Sequence, residues 1–246
     1  MASKEIEYSN NTFSLSYELV NPSQERAVLI LHGWGSNKEI MKQAFGKLLP
    51  DCKHIYLDMP GFGKSSNDTI LRTGDYMQIV RLFLETLSVV PQIIMGHSFG
   101  GKVATLLDPP CLVLLSSSGV LIPKPFFVRL KITLTKMFKA VGIGRFGKIF
   151  SSKDVDGMSH EMYETFKNVV NEQFEEHFLK VNGKVLLFWG KSDTATPIWT
   201  AEKIVQIIPG ATLYPLEGDH YFFLQHAPFI AQTVLDQYKD NHSCRH

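Results

Sequence analysis

Short apolar blocks alternate along this chain with longer segments of helical spacing, and this alternation constrains the fold most strongly. The first block, 13–19, has an apolar residue at every second position and is typical of a strand with one solvated face. Most later blocks are apolar throughout, as expected for strands covered on both faces. The candidate strands are 13–19, 28–31, 55–57, 93–95, 112–115, 185–189 and 212–216, and the candidate helices are 76–89, 102–107, 198–208 and 228–238. We therefore predict an α/β fold with a mostly parallel sheet and helices on both of its faces.

Composition excludes several classes of protein. The chain has 246 residues, 44% hydrophobic and 20% charged, which is ordinary for one globular domain and excludes a disordered, collagenous or coiled-coil chain. Its net charge of +1 gives no electrostatic reason to expect nucleic acid as a partner. Cys52, Cys111 and Cys244 are too few and too scattered for a disulfide framework or a zinc site. Without an apolar leader or a long apolar run, we expect a cytoplasmic protein that does not insert into membranes.

The interval 119–184 interrupts the alternation, because it contains no convincing strand and has helical spacing throughout. We predict an α/β core formed by 1–118 and 185–246, with 119–184 as a helical insertion over one end of the sheet. From 109 to 153 the chain has no acidic residue, and within the insertion Arg129, Lys136 and Lys139 interleave with apolar positions. Such charges usually form a solvated face. The alternative is that they attract an acidic substrate, an acidic carrier or an anionic membrane surface.

The motif GHSFGG at 96–101 connects the candidate strand 93–95 to the candidate helix 102–107. Small residues at 96 and 100 are required because the turn between strand and helix is tight. Such a turn presents the Ser98 hydroxyl at the carboxyl end of the sheet, where it can act as a nucleophile. The alternative is a glycine-rich connection that carries an ordinary surface serine.

A serine hydroxyl needs a general base, and the best candidate is His220. It follows the strand 212–216, and the carboxyl ends of parallel strands are where α/β sheets place their sites. A solvated loop histidine is the alternative. His97 is adjacent to Ser98, but we expect its side chain to point away from that hydroxyl, so we do not choose it as the base.

The base must be oriented by a carboxylate, for which we choose Asp193, directly after strand 185–189. Asp219 is adjacent to His220 in the sequence and cannot easily turn back towards that ring. Asp58 follows an earlier strand, and we expect it to be structural.

The sequence HGWG at 32–35 follows strand 28–31, and its glycines allow the backbone to approach a bound carbonyl group. The backbone amides of Trp34 and Phe99 could then donate hydrogen bonds to a developing oxyanion. The alternative is a plain turn in which Trp34 is a core aromatic residue.

The candidate nucleophile, base, carboxylate and oxyanion turn are together typical of one family. The chain resembles the α/β-hydrolase fold family over nearly its whole length. The matching stretches are 29–35 (LILHGWG), 58–65 (DMPGFGKS), 96–101 (GHSFGG), 189–193 (WGKSD) and 218–220 (GDH). The resemblance implies an eight-stranded sheet with a helical cap after the sixth strand, which 119–184 matches. The chain order of nucleophile, acid and base is also the order that this family uses. The short stretch 102–110 departs from the family, because it leaves little room for the helix after the nucleophile.

Several reactions are compatible with this family. A serine at position 98 argues against members with an aspartate nucleophile, the haloalkane dehalogenases and epoxide hydrolases. Two possibilities remain: a carboxylic ester hydrolase that forms an acyl-enzyme, and a carbon–carbon bond hydrolase of the 2-hydroxy-6-oxo-dienoate type. The carbon–carbon hydrolases typically carry Asn before the nucleophile and Trp after the catalytic histidine, where this chain has His97 and Tyr221. We therefore favour the esterase. A hydrolase-like binding protein without turnover is a third possibility.

We expect a small-molecule ester or an acidic compound as the substrate, and neither a metal nor an organic cofactor. GFGKS at 61–65 lacks the glycine spacing of a phosphate-binding loop. An acyl carrier partner is compatible with the sequence, but no motif supports it.

Overall fold

A computed structural model describes residues 2–122 and 159–243. Eight strands form one sheet in the order β1-β2-β4-β3-β5-β6-β7-β8, in which β2 pairs antiparallel with β1 and β4 and all other pairs are parallel. The strands are β1 Ala2–Tyr8, β2 Asn11–Val20, β3 Ala27–Leu31, β4 Lys53–Leu57, β5 Ile93–His97, β6 Cys111–Leu115, β7 Lys184–Gly190 and β8 Thr212–Leu216. The predicted fold class, with a mostly parallel eight-stranded sheet, is confirmed.

Helices cover both faces of the sheet. They are α1 Lys38–Phe45, α2 Thr73–Thr86, α3 Phe99–Leu107, α4 His160–Val170, α5 Glu175–Phe178, α6 Ile198–Ile207 and α7 Phe223–Ser243. Successive side chains of a strand point to opposite faces, so Leu29 and Leu31 join one core cluster and Val28 and Ile30 the other. The sheet is therefore buried between two hydrophobic layers, as the continuous apolar blocks predict.

Three elements differ from the sequence prediction. β1 was not predicted, because only Ile6 of its seven residues is buried; a tight turn through Ser9 and Asn10, both with positive φ, pairs it with β2. α1 was not predicted either, since its eight residues are too short for a clear periodicity. α7 begins at Phe223, five residues before its predicted start, and it contains Pro228 within the helix.

The predicted insertion is described only at its two ends. Residues 159–183 contain α4 and α5, and Phe174 and Phe178 are fully buried in the core cluster that includes α3. Lys184, which we assigned to the insertion, is the first residue of β7. The basic stretch with Arg129, Lys136 and Lys139 lies outside the described residues, so a helical cap there stays a prediction. No helix within the described ranges is both long enough and apolar enough to cross a membrane.

Candidate active site

Ser98 lies in a strained turn between β5 and α3. Its φ of 51° and ψ of −115° are unusual for a residue with a side chain, and such a conformation typically costs about 1–3 kcal/mol. Hydrogen bonds hold it in place: the Ser98 amide donates to the Leu115 carbonyl (3.1 Å), and its carbonyl accepts from Gly101 (3.0 Å) and Ser118 (3.1 Å). The end of β6 thus fixes the direction of the Ser98 side chain.

Two glycines make this turn possible. A Cβ atom on Gly96 would lie 2.4 Å from the Gly100 carbonyl oxygen, and one on Gly100 would lie 2.5 Å from the His32 carbonyl oxygen. Real Cβ atoms do not approach backbone oxygens so closely. The structure therefore gives a steric reason for the small residues expected at 96 and 100.

Asp193 and His220 meet at the carboxyl ends of β7 and β8, where the sequence placed them. His220 Nδ1 is 2.7 Å from Asp193 Oδ2, and both side chains are buried. Burial by itself would raise the pKa of Asp193, but the adjacent His220 and hydrogen bonds hold that pKa below its ordinary value. Because an ionised carboxylate only accepts hydrogen bonds, His220 carries its proton on Nδ1. Its Nε2 is then the nitrogen able to accept a proton.

Thr196 completes the surroundings of this carboxylate, although sequence reasoning did not select it. Asp193 Oδ1 accepts from the amides of Ala195 (2.7 Å) and Thr196 (3.0 Å), and Oδ2 accepts from Thr196 Oγ1 (2.8 Å). The Thr196 carbonyl in turn accepts from Trp189 Nε1 (2.6 Å). The signal available in the sequence was an aspartate followed within three positions by small or hydroxyl residues, which favours local turns of this kind.

His97 lies beside His220, with ring centroids 4.6 Å apart. His97 Nε2 donates to the His220 carbonyl (2.9 Å), while its Nδ1 has no hydrogen-bond partner among the described residues. Burial, together with the adjacent His220, holds the pKa of His97 well below the ordinary histidine value, so the ring is neutral. His97 therefore contacts the backbone of His220 and is not placed between that ring and Asp193.

The two predicted oxyanion amides are oriented by local structure. Phe99 is the first residue of α3, so its N–H has no acceptor within the helix. His32 Nε2 accepts from the Met59 amide (3.0 Å), so its Nδ1 donates to the Gly33 carbonyl (2.8 Å). The N–H of Trp34 belongs to the same peptide as that carbonyl and points the opposite way. Within the described part of the chain, neither the Trp34 nor the Phe99 amide has a hydrogen-bond acceptor.

The Trp34 side chain is at the same time a core aromatic residue. It is 7% exposed and packs against Phe62, Phe99 and Phe166, with ring centroids 4.8–5.5 Å away. The core interpretation therefore holds for its side chain, and the oxyanion role of its amide stays a prediction.

Comparison with known proteins agrees with this architecture. A family model described as alpha/beta hydrolase fold matches residues 26–107. The uncharacterized hydrolase YugF of Bacillus subtilis (strain 168) is 25% identical over 251 residues, which cover 88% of this chain and 90% of that protein. A solved esterase from Exiguobacterium antarcticum superimposes with a TM-score of 0.76 at 20% identity, covering 97% of this chain and 100% of the other. The chain has the α/β-hydrolase fold.

A more local match is a pimeloyl-(acyl-carrier protein) methyl ester esterase of Edwardsiella ictaluri (strain 93-146). It is 32% identical over 83 residues, which are 33% of this chain and only 30% of that esterase. Its likeness is thus limited to about a third of either chain.

The candidate nucleophile, base and oxyanion amides surround one cleft. Most of its walls are apolar, and its charged residues among those described are one lysine and one glutamate. The described lining residues are Gly33, Trp34, His97, Ser98, Phe99, Lys102, Ser118, Gly119, Val120, Leu121, Ile122, Phe166, Val169, Val170, Glu172, Ala195, Thr196, His220 and Tyr221. Over residues 2–122 and 159–243, no three His, Cys, Asp or Glu side chains are grouped like the ligands of a metal.

Asp219 and Asp58, the two carboxylates not chosen to orient His220, make other contacts. Asp219 Oδ1 accepts from the Tyr221 amide (2.8 Å), so its side chain turns towards its own loop. Asp58 is paired with Lys38 (2.6 Å) outside the cleft, and both side chains are 1% exposed. These contacts agree with the expectation that Asp193, and neither of these two, orients His220.

Proposed function

We propose that this α/β-hydrolase is a serine hydrolase that cleaves a small carboxylic ester through an acyl-enzyme intermediate. The observation that carries the proposal is the buried contact of 2.7 Å between Asp193 and His220, in the same cleft as the strained Ser98. This combination supports a nucleophile after β5, an acid after β7 and a base after β8. The esterases among the related proteins support an ester as the bond that is cleaved.

In the proposed mechanism, Ser98 Oγ attacks the ester carbonyl carbon while His220 Nε2 takes the hydroxyl proton. The amides of Trp34 and Phe99 stabilise the oxyanion of the tetrahedral intermediate, and Asp193 stabilises the imidazolium. The intermediate collapses, and the alcohol leaves with the proton from His220. A water molecule, deprotonated by His220, then attacks the acyl-enzyme, and the acid leaves as Ser98 regains its proton.

The same site would serve a carbon–carbon bond hydrolase, so the assay must distinguish the two reactions. We propose to test a chain-length series of p-nitrophenyl esters beside a 2-hydroxy-6-oxo-dienoate. Turnover of the esters supports the proposal, and turnover of the dienoate alone would replace it with carbon–carbon cleavage. The Edwardsiella esterase matches only about a third of either chain, so it carries no argument for an acyl carrier partner.

The decisive variant is Ser98→Ala, which removes only the hydroxyl. Loss of a triad nucleophile lowers kcat by about a millionfold, so the variant should be inactive while its unfolding transition stays close to that of the wild type. Ser192→Ala, an exposed serine beside Asp193, is the matched control and should keep its activity. A fluorophosphonate probe should label the wild type and not Ser98→Ala. Residual activity above a few per cent in Ser98→Ala, or a wild type without turnover or labelling, would contradict the assignment.

The proposal also places the reaction in the cytoplasm. Cys52 and Cys111 are both buried free thiols, which a reducing compartment maintains.

A further inference from the structure

A buried ion pair lies in the cleft of the candidate nucleophile. Lys102 is in α3, four residues after Ser98, and is 2% exposed. Its ammonium group is 2.5 Å from Glu172 Oε2 and donates to the Val169 carbonyl (2.8 Å). The same nitrogen lies 4.8 Å from the centroid of the Phe174 ring. The positive charge of Lys102 is therefore fully engaged within the protein.

Glu172 supplies the compensating charge from the segment between α4 and α5. Its side chain is 25% exposed, and its Oε2 also accepts from Thr73 Oγ1 (2.5 Å). Burial lowers the pKa of Lys102, and the adjacent Glu172 opposes that effect. A buried ammonium group is strongly destabilising unless it is paired, and Glu172 is the partner that compensates the charge of Lys102.

Apart from Lys102 and Glu172, the described lining residues in 119–122 and 166–172 are apolar. Val120, Leu121, Phe166 and Val170 contribute hydrocarbon surface, and Lys102 is the single lysine or arginine among the described lining residues. A carboxylate that entered would lose its water, find Lys102 already paired and meet the negative charge of Glu172. A neutral apolar group would displace water from hydrocarbon at no such electrostatic cost.

We propose that Glu172 is a specificity-determining residue: by pairing with Lys102, it makes the cleft select esters with a neutral, apolar distal group over esters that end in a carboxylate. This inference rests on the proposed ester hydrolysis and narrows its substrate class. Specificity in general arises both from favourable contacts with one substrate and from unfavourable charges that exclude another, and Glu172 would act in the second way.

The test uses two matched pairs of esters, and the two members of each pair end either in a methyl group or in a carboxylate. In the p-nitrophenyl pair this end group lies at the far end of the acyl chain. In the alkyl ester pair it lies at the far end of the alcohol. The measured quantity is the ratio of kcat/KM for the methyl-ended ester to that for the carboxylate-ended ester. The wild type should prefer the methyl-ended esters. Glu172→Gln, which leaves Lys102 without its counter-charge, should lower this ratio at least about tenfold in one of the pairs, through faster turnover of the acid.

A matched control exists on the same stretch of chain. Glu175 forms an exposed ion pair with Lys203 (2.6 Å) and does not line the cleft. Glu175→Gln therefore removes the same charge from the same stretch of chain and should leave the ratio unchanged. The double variant Lys102→Met with Glu172→Gln should show no gain for the acid, because the gain requires an unpaired lysine. An unchanged ratio in folded Glu172→Gln, or an equal change in Glu175→Gln, would overturn the inference.

Two further measurements keep the inference testable. If Glu172→Gln does not fold, Lys102→Met should reject the carboxylate-ended ester at least as strongly as the wild type, and a gain for the acid would refute the inference. Calorimetric binding of non-hydrolysable amide analogues with the two end groups reports the same preference without turnover. Failure of the wild type to cleave any ester would refute the proposed function, whereas tighter binding of the acid-ended analogue would refute the role of Glu172.

Discussion

Replacing Asp58 by Asn should destabilise the protein without touching its candidate active site. Asp58 Oδ1 accepts from the Lys38 amide (2.7 Å), and Oδ2 accepts from Lys38 Nζ (2.6 Å) and the Lys64 amide (3.0 Å). Both side chains of the ion pair are 1% exposed. Asn can keep the first contact, but its NH₂ group would face two donors in place of the oxygen that they now share. The change therefore leaves a buried ammonium group without its counter-charge.

The magnitude follows from the burial of the pair. Removing one partner of a buried ion pair typically costs about 3–5 kcal/mol of unfolding free energy. Lys38 would still contact Ser16 Oγ (3.1 Å) and has the exposed Glu39 carboxylate at 3.6 Å, so some compensation is available. We therefore expect the lower end of that range, about 3 kcal/mol for Asp58→Asn.

Urea unfolding followed by tryptophan fluorescence measures this loss, provided that the slope of unfolding free energy against urea concentration is the same in the variant and the wild type. At a temperature where the variant stays folded, kcat for a p-nitrophenyl ester should stay within about threefold of the wild type, since Asp58 does not line the cleft. Combining Asp58→Asn with Lys38→Met should recover much of the lost stability, because no unpaired charge is then buried. A loss below about 1 kcal/mol, or a fall in kcat of a hundredfold without a loss of stability, would show that Asp58 is not a structural residue.

Two further predictions concern the surroundings of His220. Asp193→Asn should lower kcat by about ten-thousandfold, because His220 loses its orientation and its counter-charge, while Asp219→Asn should do much less; a steady-state ester assay that gave the reverse would identify Asp219 as the orienting acid. His97 should make the protein less stable in acid, because its pKa is lowered on folding. Below about pH 6.5 the unfolded chain binds a proton at His97 that the folded chain does not bind. The free energy of unfolding therefore falls as the pH falls towards the folded pKa. In His97→Phe, the slope of unfolding free energy against pH below 6.5 should be shallower by up to about 1.4 kcal/mol per pH unit, with equal slopes above pH 7.5; an unchanged slope would mean that folded His97 binds the proton.

Local sequence was sufficient for most of the sheet and for the candidate catalytic residues. Strands buried on both faces need continuous apolar blocks, and the blocks before Trp34, Ser98 and Asp193 all proved to be strands. The turn around Ser98 needs glycines wherever backbone atoms approach too closely for a Cβ, so Gly96 and Gly100 marked it in the sequence. β1 was not predicted because a mostly exposed edge strand has no apolar pattern in its sequence. It is held in the sheet by its backbone pairing with β2 and not by burial of its side chains.

Contacts between distant parts of the chain were decided by tertiary structure alone. Lys102 and Glu172 are 70 positions apart, and nothing near either residue indicates the other; they pair because the segment after α4 packs over α3. The same holds for the contact of His97 with the backbone of His220, across 123 positions. A glycine turn or an apolar strand is determined by neighbours in the sequence. The partner of a buried charge or ring depends on which elements pack together, since the free energy of removing it from water is recovered only from the groups that the fold places around it.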